Sequence, residues 1–192
     1  MKIAKKIKTE EIVSLLKKGG VVVLPTDTAY GLSCDAFNKE AVERIYNIKG
    51  RPKNKGFLLI VADLKMAKKY LKFSETEVKL AKKHWPGALS IILKIKSRKL
   101  NYQADFGIRM PDNKLCRAVS RKLGRPIITT SANFSGGKIP YSISAVIKEF
   151  AGKKYQPDLI ADVGKLKKVK PSTLIKIEKG KVVVLRQGKI KI

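Results

Sequence analysis

The stretch V-V-V-L-P-T-D-T-A-Y-G-L at residues 21–32 decides the fold class. Its first four residues are consecutive, apolar and mostly β-branched, and they lie between Gly20 and Pro25. That suits a short strand buried on both faces better than an alternating surface strand. Pro25 ends the run. Thr26, Asp27, Thr28 and Tyr30 then place two hydroxyls, a carboxylate and a phenol at the strand's carboxyl end, where α/β sheets put their ligands. Gly31 allows either a tight turn or a close backbone approach. Taken alone, the same residues would equally form a hydrogen-bonded turn with Asp27 capping local amides.

Outward from this stretch, helices and strands alternate. Upstream, Thr9 can cap a helix to Lys18, with Ile12, Leu15 and Leu16 on one face and Gly19 as its stop. Downstream, Asn38 caps a helix striped by Ala41, Val42, Ile45 and Ile48 that ends at Lys49-Gly50. Residues 57–62 read as a buried strand, and Asp63 starts a short helix. Ser74-x-x-Glu77 is a capping box for a helix stopped by Pro86-Gly87. Residues 88–95 and 106–110 read as strands. Asp112 can cap a helix carrying Leu115, Val119 and Leu123, and residues 126–130 form a strand running into Ser131-Ala132-Asn133. Ser142 caps a last helix to Phe150. Strands at 159–163, 173–177 and 182–185 follow, the final two joined by a hairpin at Gly180. The expectation is an α/β domain, a mixed sheet with helices on its faces. At 192 residues the chain is long enough for one well-buried core and short for two, so a single domain over 1–192 is expected.

Net charge is the outlying property. The chain carries +28 at pH 7, and only 8 of its 43 basic residues are arginine. Polyanions are the expected partners, although lysines spread evenly from Lys2 to Lys191 also fit a compositional bias. Cys34 and Cys116 form no C-x-x-C, so small buried apolar roles are expected. No apolar run approaches the roughly 20 residues of a membrane span and no signal peptide is evident, so a soluble cytosolic protein is expected.

The chemistry-bearing residues are few. His84 is the only histidine, which leaves no paired-histidine metal site and little scope for serine–histidine hydrolysis. Asp27, Asp105 and Asp162 are the carboxylates at strand ends, with no close acid pair. K-G-R-P-K-N-K-G at 49–56 supplies four cations, Lys49, Arg51, Lys53 and Lys55, in a loop stiffened by proline and suited to phosphate oxygens. Ser131 and Asn133 emerge at a strand end, able to bond a nucleotide without adding charge. Arg109 sits among apolar neighbours, so either a carboxylate ligand or a structural acid must face it. There is neither G-x-x-x-x-G-K-[ST] nor G-x-G-x-x-G, which excludes the usual phosphate loops.

In order and spacing, P-T-D-T-A-Y-G-L, K-x-R-P-x-x-K-G, W-P-G, I-R-M-P, T-S-A-N-x-S-G, P-S-T and L-R-Q-G resemble the YrdC family, in particular its short TsaC-type branch. The resemblance implies a twisted mixed sheet with flanking helices around a basic cavity. It also implies synthesis of threonylcarbamoyl-AMP and pyrophosphate from L-threonine, bicarbonate and ATP, with Mg2+ assisting. A transferase partner would then modify adenosine 37 of ANN-decoding tRNAs, and direct contact with tRNA is a further expectation. By motif match, Lys49 and Arg51 would hold phosphates with help from Lys53 or Lys55. Ser131, Asn133, Ser172 and Arg186 would hold the nucleotide. Thr26, Thr129 and Arg109 would meet threonine, Arg109 at its carboxylate. Asp27 stands where relatives carry glutamate, and Ala88, Val61 and Val163 also depart from the family pattern. A non-catalytic RNA-binding protein and a YciO-like paralogue with another substrate are the competing readings.

Overall fold

A computed structural model of the chain describes residues 1–53, 56–97, 100 and 106–192; Lys55 and Asp105 lie outside the described residues. Among these residues ten strands form one sheet: β1 (Lys2–Ala4), β2 (Val22–Pro25), β3 (Tyr30–Asp35), β4 (Leu58–Ile60), β5 (Leu89–Leu93), β6 (Phe106–Arg109), β7 (Ile127–Ser131), β8 (Leu159–Ala161), β9 (Thr173–Glu178) and β10 (Lys181–Arg186). Their order is β1-β8-β2-β3-β7-β4-β6-β5-β9-β10. The sheet is mixed. β2, β3, β7 and β4 run antiparallel in turn, while β1/β8, β8/β2, β4/β6 and β5/β9 are parallel. Among the described residues six helices flank it: α1 (Thr9–Lys17), α2 (Lys39–Lys49), α3 (Leu64–Tyr70), α4 (Glu75–His84), α5 (Lys114–Leu123) and α6 (Ile143–Phe150).

The organising strand is buried on both faces, as its composition requires. Val22 and Leu24 enter one core with Ile60, Ile127 and Leu159, beneath α1 and α5. Val21 and Val23 enter the other with Leu32, Leu59 and Ile128, beneath α2, α3, α4 and α6. Strand periodicity of two makes both cores from one run of valines. Residues 21–24 are fully buried, each contributing about 1.5–3 kcal/mol relative to exposure.

Helix ends follow local chemistry. Asn38, Asp63, Ser74 and Ser142 accept hydrogen bonds from the third residue onward, and Ser74 with Glu77 completes the capping box. Gly50 and Gly124 close α2 and α5 in the left-handed region. Two cap expectations need correction. Lys8 precedes α1 with no side-chain cap, and Thr9 is its first helical residue. Asn113, not Asp112, caps α5 by accepting from Cys116 N at 3.0 Å, because Asp112 lies one residue too early. Asn113→Ala therefore lowers stability by about 1 kcal/mol, a Tm loss of roughly 2–4 °C for a chain of this size. Asp112→Ala costs little, since Asp112 is mostly exposed and 3.7 Å from Arg117. Equal losses in thermal denaturation would return the cap to Asp112.

The sheet positions the site through a gap in its cover. Cross-strand neighbours Thr129, Leu58, Gly107 and Ile92 lie side by side across β7, β4, β6 and β5. By alternation they share the face on which Ile127 and Ile60 lie under α1 and α5. Those two helices cover only part of that face. The rest is open, and no helix residue among the described residues lines the cavity found there.

Candidate functional site

That open face holds a cavity of about 410 Å3, within the roughly 300–1,000 Å3 usual for small-molecule sites. Thr26, Thr28 and Tyr30, just beyond the carboxyl end of β2, line it, whereas Asp27 does not. The T-D-T-A segment is the tip of an antiparallel hairpin, Pro25 pairing with Tyr30, and it forms one wall of a site spread across the sheet face. Gly31 is not in a turn. It lies in β3, where an added Cβ would stand 2.6 Å from Thr129 Cγ2, so close approach is the reason for glycine here.

Three guanidiniums, from Arg51, Arg109 and Arg186, line the cavity, and no carboxylate lines it among the described residues. Burial lowers the pKa of each, and the charge of Arg109 further lowers that of Arg186. Such crowded like charges favour an anionic occupant. Arg109 faces a structural acid, Asp27, at 3.0 Å, with side-chain exposures of 3% and 9%. The contact is an ion pair outside hydrogen-bond geometry: neither Asp27 Oδ1 nor Arg109 Nε has a hydrogen-bond partner among the described residues. Both Arg109 Nη atoms lie 3.4 Å from Thr28 Oγ1. Buried donors left in this state suit a further acceptor arriving from the cavity.

Arg186 is aimed by the P-S-T segment, donating from Nε to Ser172 O at 3.1 Å and from Nη2 to Ser172 Oγ at 3.0 Å. Ser172 Oγ also meets Ser90 Oγ at 2.9 Å. Arg51 donates to Gly56 O at 2.7 Å and lies over the Phe57 ring. Thr129 and Ser131 are on the wall, with Thr129 Oγ1 2.9 Å from Ser33 Oγ. Thr26 also lines the cavity, but its hydroxyl serves the hairpin tip, donating to Ala29 O at 2.7 Å and accepting from Ala29 N at 3.0 Å.

The structure therefore brings Thr26, Arg51, Arg109, Thr129, Ser131, Ser172 and Arg186 together in one cavity. Lys49, Lys53 and Asn133 are placed elsewhere. Lys49 is buried behind the wall and its ammonium is bonded to main-chain carbonyls. Lys53 faces solvent and pairs with Glu43 at 2.7 Å. Asn133 is buried, its Nδ2 donating to Gly137 O at 2.7 Å. Sequence reading missed the apolar and aromatic lining of Phe57, Ile92, Ile139, Tyr141 and Leu174; such residues carry no signal to separate them from core.

A cavity lined by three arginines on the open face of a mixed sheet defines the class as an α/β domain with a basic cavity. The chain belongs to the Sua5/YciO/YrdC family, whose model, described as "Telomere recombination", matches residues 14–188. It is 39% identical to a Methanocaldococcus jannaschii protein provisionally named threonylcarbamoyl-AMP synthase, over 95% of this chain and 88% of that one. Its fold is similar to P. abyssi Sua5 solved with L-threonine (TM-score 0.83, 30% identity, 97% of this chain) and to E. coli YciO (TM-score 0.80, 31% identity, 97% of this chain and 93% of that one). The chain spans 56% of the Sua5 chain.

Proposed function

We propose that this protein is a threonylcarbamoyl-AMP synthase, converting L-threonine, bicarbonate and ATP into threonylcarbamoyl-AMP and pyrophosphate. The observation that carries the reading is the convergence of Arg51, Arg109 and Arg186 on one cavity free of lining carboxylates among the described residues. The names of its relatives, one provisionally a synthase and one solved with threonine, support it.

The threonine amine and bicarbonate combine, with loss of water, into a carbamate. A carbamate oxygen attacks the α-phosphate, and the bond to pyrophosphate breaks. Carbamate and triphosphate are both anionic, so they approach only where fixed cations offset their repulsion and the charge growing on the leaving group. Arg109, with its unpartnered Nε, takes the threonine carboxylate. Arg51 and Arg186 take phosphate oxygens, and Ser131 and Ser172 orient the nucleotide. Among the described residues, the only other ionisable side chains on the wall are those of Tyr30 and Tyr141, so the rate comes from positioning and electrostatics rather than a strong base. No cluster of three or more histidine, cysteine or carboxylate side chains suited to a metal occurs among the described residues. Mg2+ is accordingly assigned to the substrate, arriving on the triphosphate oxygens.

The product, a mixed anhydride, is consumed by a partner transferase that acylates adenosine 37 of ANN-decoding tRNAs in the cytoplasm, and the whole chain acts as one domain. The likeness to E. coli YciO favours one alternative, a paralogue with another substrate. Mass spectrometry of the purified protein with ATP, magnesium, bicarbonate and L-threonine decides between them. The synthase forms threonylcarbamoyl-AMP only when both threonine and bicarbonate are present. ATP binding without product supports the paralogue, and binding of tRNA without ATP binding supports an RNA-binding protein.

A further inference from the structure

The two cations of K-G-R part company at Gly50, whose left-handed backbone (φ 57°) turns the chain between them. Arg51 enters the cavity, whereas Lys49 is 2% exposed and lies outside it. Lys49 Nζ donates to Ser131 O and Asn133 O, both at 2.7 Å, and lies 3.5 Å from Asn133 Oδ1. Its own carbonyl accepts from Ser135 N at 2.8 Å. The ammonium thus faces three oxygens of the S-A-N segment, two of them at close hydrogen-bond distance. The rest of that segment is fixed as firmly: Ala132 N donates to Tyr30 O, Phe134 N to Glu149, and Asn133 Nδ2 to Gly137 O.

We propose that Lys49 is a positioning residue that ties the end of α2 to the S-A-N segment and so holds Ser131 on the cavity wall, without touching phosphate. The inference rests on the nucleotide site proposed above. It explains why a lysine and not an arginine precedes Gly50: a compact ammonium satisfies converging carbonyls that a planar fork cannot. It also makes one spacing serve two tasks, an internal tie and a cavity cation two residues later.

The test labels lysines of the wild-type protein with an acetylating reagent at pH 8 and maps them by mass spectrometry, with and without ATP. The Lys49 amine has its pKa lowered to about 8, first by burial and then by Arg51, with Glu149 opposing. Because a buried amine reacts only through local opening, Lys49 is expected to be labelled at least about tenfold more slowly than Lys53, whether or not ATP is bound. Labelling at a rate similar to Lys53 in the free protein, with protection by ATP, overturns the proposal.

Calorimetry on Lys49→Met gives a second readout. A lost tie weakens ATP and AMP by the same factor, and its effect is non-additive with that of Asn133→Ala. A phosphate contact instead weakens ATP at least about tenfold more than AMP, a difference of about 1.4 kcal/mol, and that outcome also overturns it. Should Lys49→Met fail to fold, labelling of the wild type decides alone. Failure of the wild type to bind ATP refutes the nucleotide site, a result separate from either Lys49 outcome.

Discussion

Arg109→Met lowers kcat/KM for L-threonine by two to three orders of magnitude. Truncating one partner of a buried charge pair costs about 2–5 kcal/mol, and here the same guanidinium is the proposed carboxylate receptor. Part of the loss would come from Asp27, left buried without its counter-charge. The double variant Asp27→Asn/Arg109→Met separates the two effects. Removing both charges restores thermal stability toward the wild type, but activity stays low because the receptor is still missing. Steady-state kinetics with threonine varied at saturating ATP, alongside thermal denaturation, measures both. A single variant within threefold of the wild type would show that threonine is held elsewhere.

Gly188→Ala is the second large effect, and it acts through the main chain. A Cβ at this position would lie 2.2 Å from Pro171 O, 2.5 Å from Ser172 C and 2.6 Å from Thr173 N. No rotamer relieves an overlap with backbone, so the tail after β10 must move away from the P-S-T segment. Overpacking of this kind costs about 3 kcal/mol, or roughly 6–12 °C of Tm at 2–4 °C per kcal/mol. Ser172 and Arg186, which hold each other across that contact, lose their alignment, and ATP affinity falls with the stability. Gly180→Ala is the control. It has a positive φ of 78° but no atom within 4 Å of the added Cβ, so it costs about 1–2 kcal/mol and leaves ATP binding intact. Equal ATP affinity in the two variants would detach the R-Q-G motif from the site.

Much of this fold is written in short-range chemistry. Asn38, Ser74 and Ser142 cap the helices assigned to them because a side chain that accepts from the third amide onward is a local event. Val21–Leu24 declares its double burial by composition. Two strands were not legible. β3 reads Y-G-L-S-C-D, with neither alternation nor a β-branched run, and its polar members are buried only because distant partners meet them: Ser33 meets Thr129 and Asp35 meets Arg125. β1 is three residues long among lysines and exists because β8 pairs with it.

The site divides the same way. That Arg109 needed an acid was evident from its apolar neighbours, but which acid was not, since Asp27 is 82 residues away in the chain. Lys49 and Arg51 looked equivalent in sequence because the turn at Gly50 separates them in space only. The basic cavity was expected from the family resemblance and not from the residues' own chemistry, since it arises where α1 and α5 stop covering a continuous face.

The strand order also sets a timetable. β9 joins the sheet by pairing in parallel with β5, Leu89 opposite Thr173, a contact that spans almost half the chain. Ser172 and Arg186, at the two ends of the β9–β10 unit, therefore reach their places only after a long loop closes, the kind of non-local step that slows folding. A ribosome-bound chain that has completed everything through β8 already owns Arg51, Arg109 and Ser131, yet it cannot hold a nucleotide. Substrate capture thus begins only once β9 and β10 have been made and docked, and bound ATP then favours the finished fold by mass action.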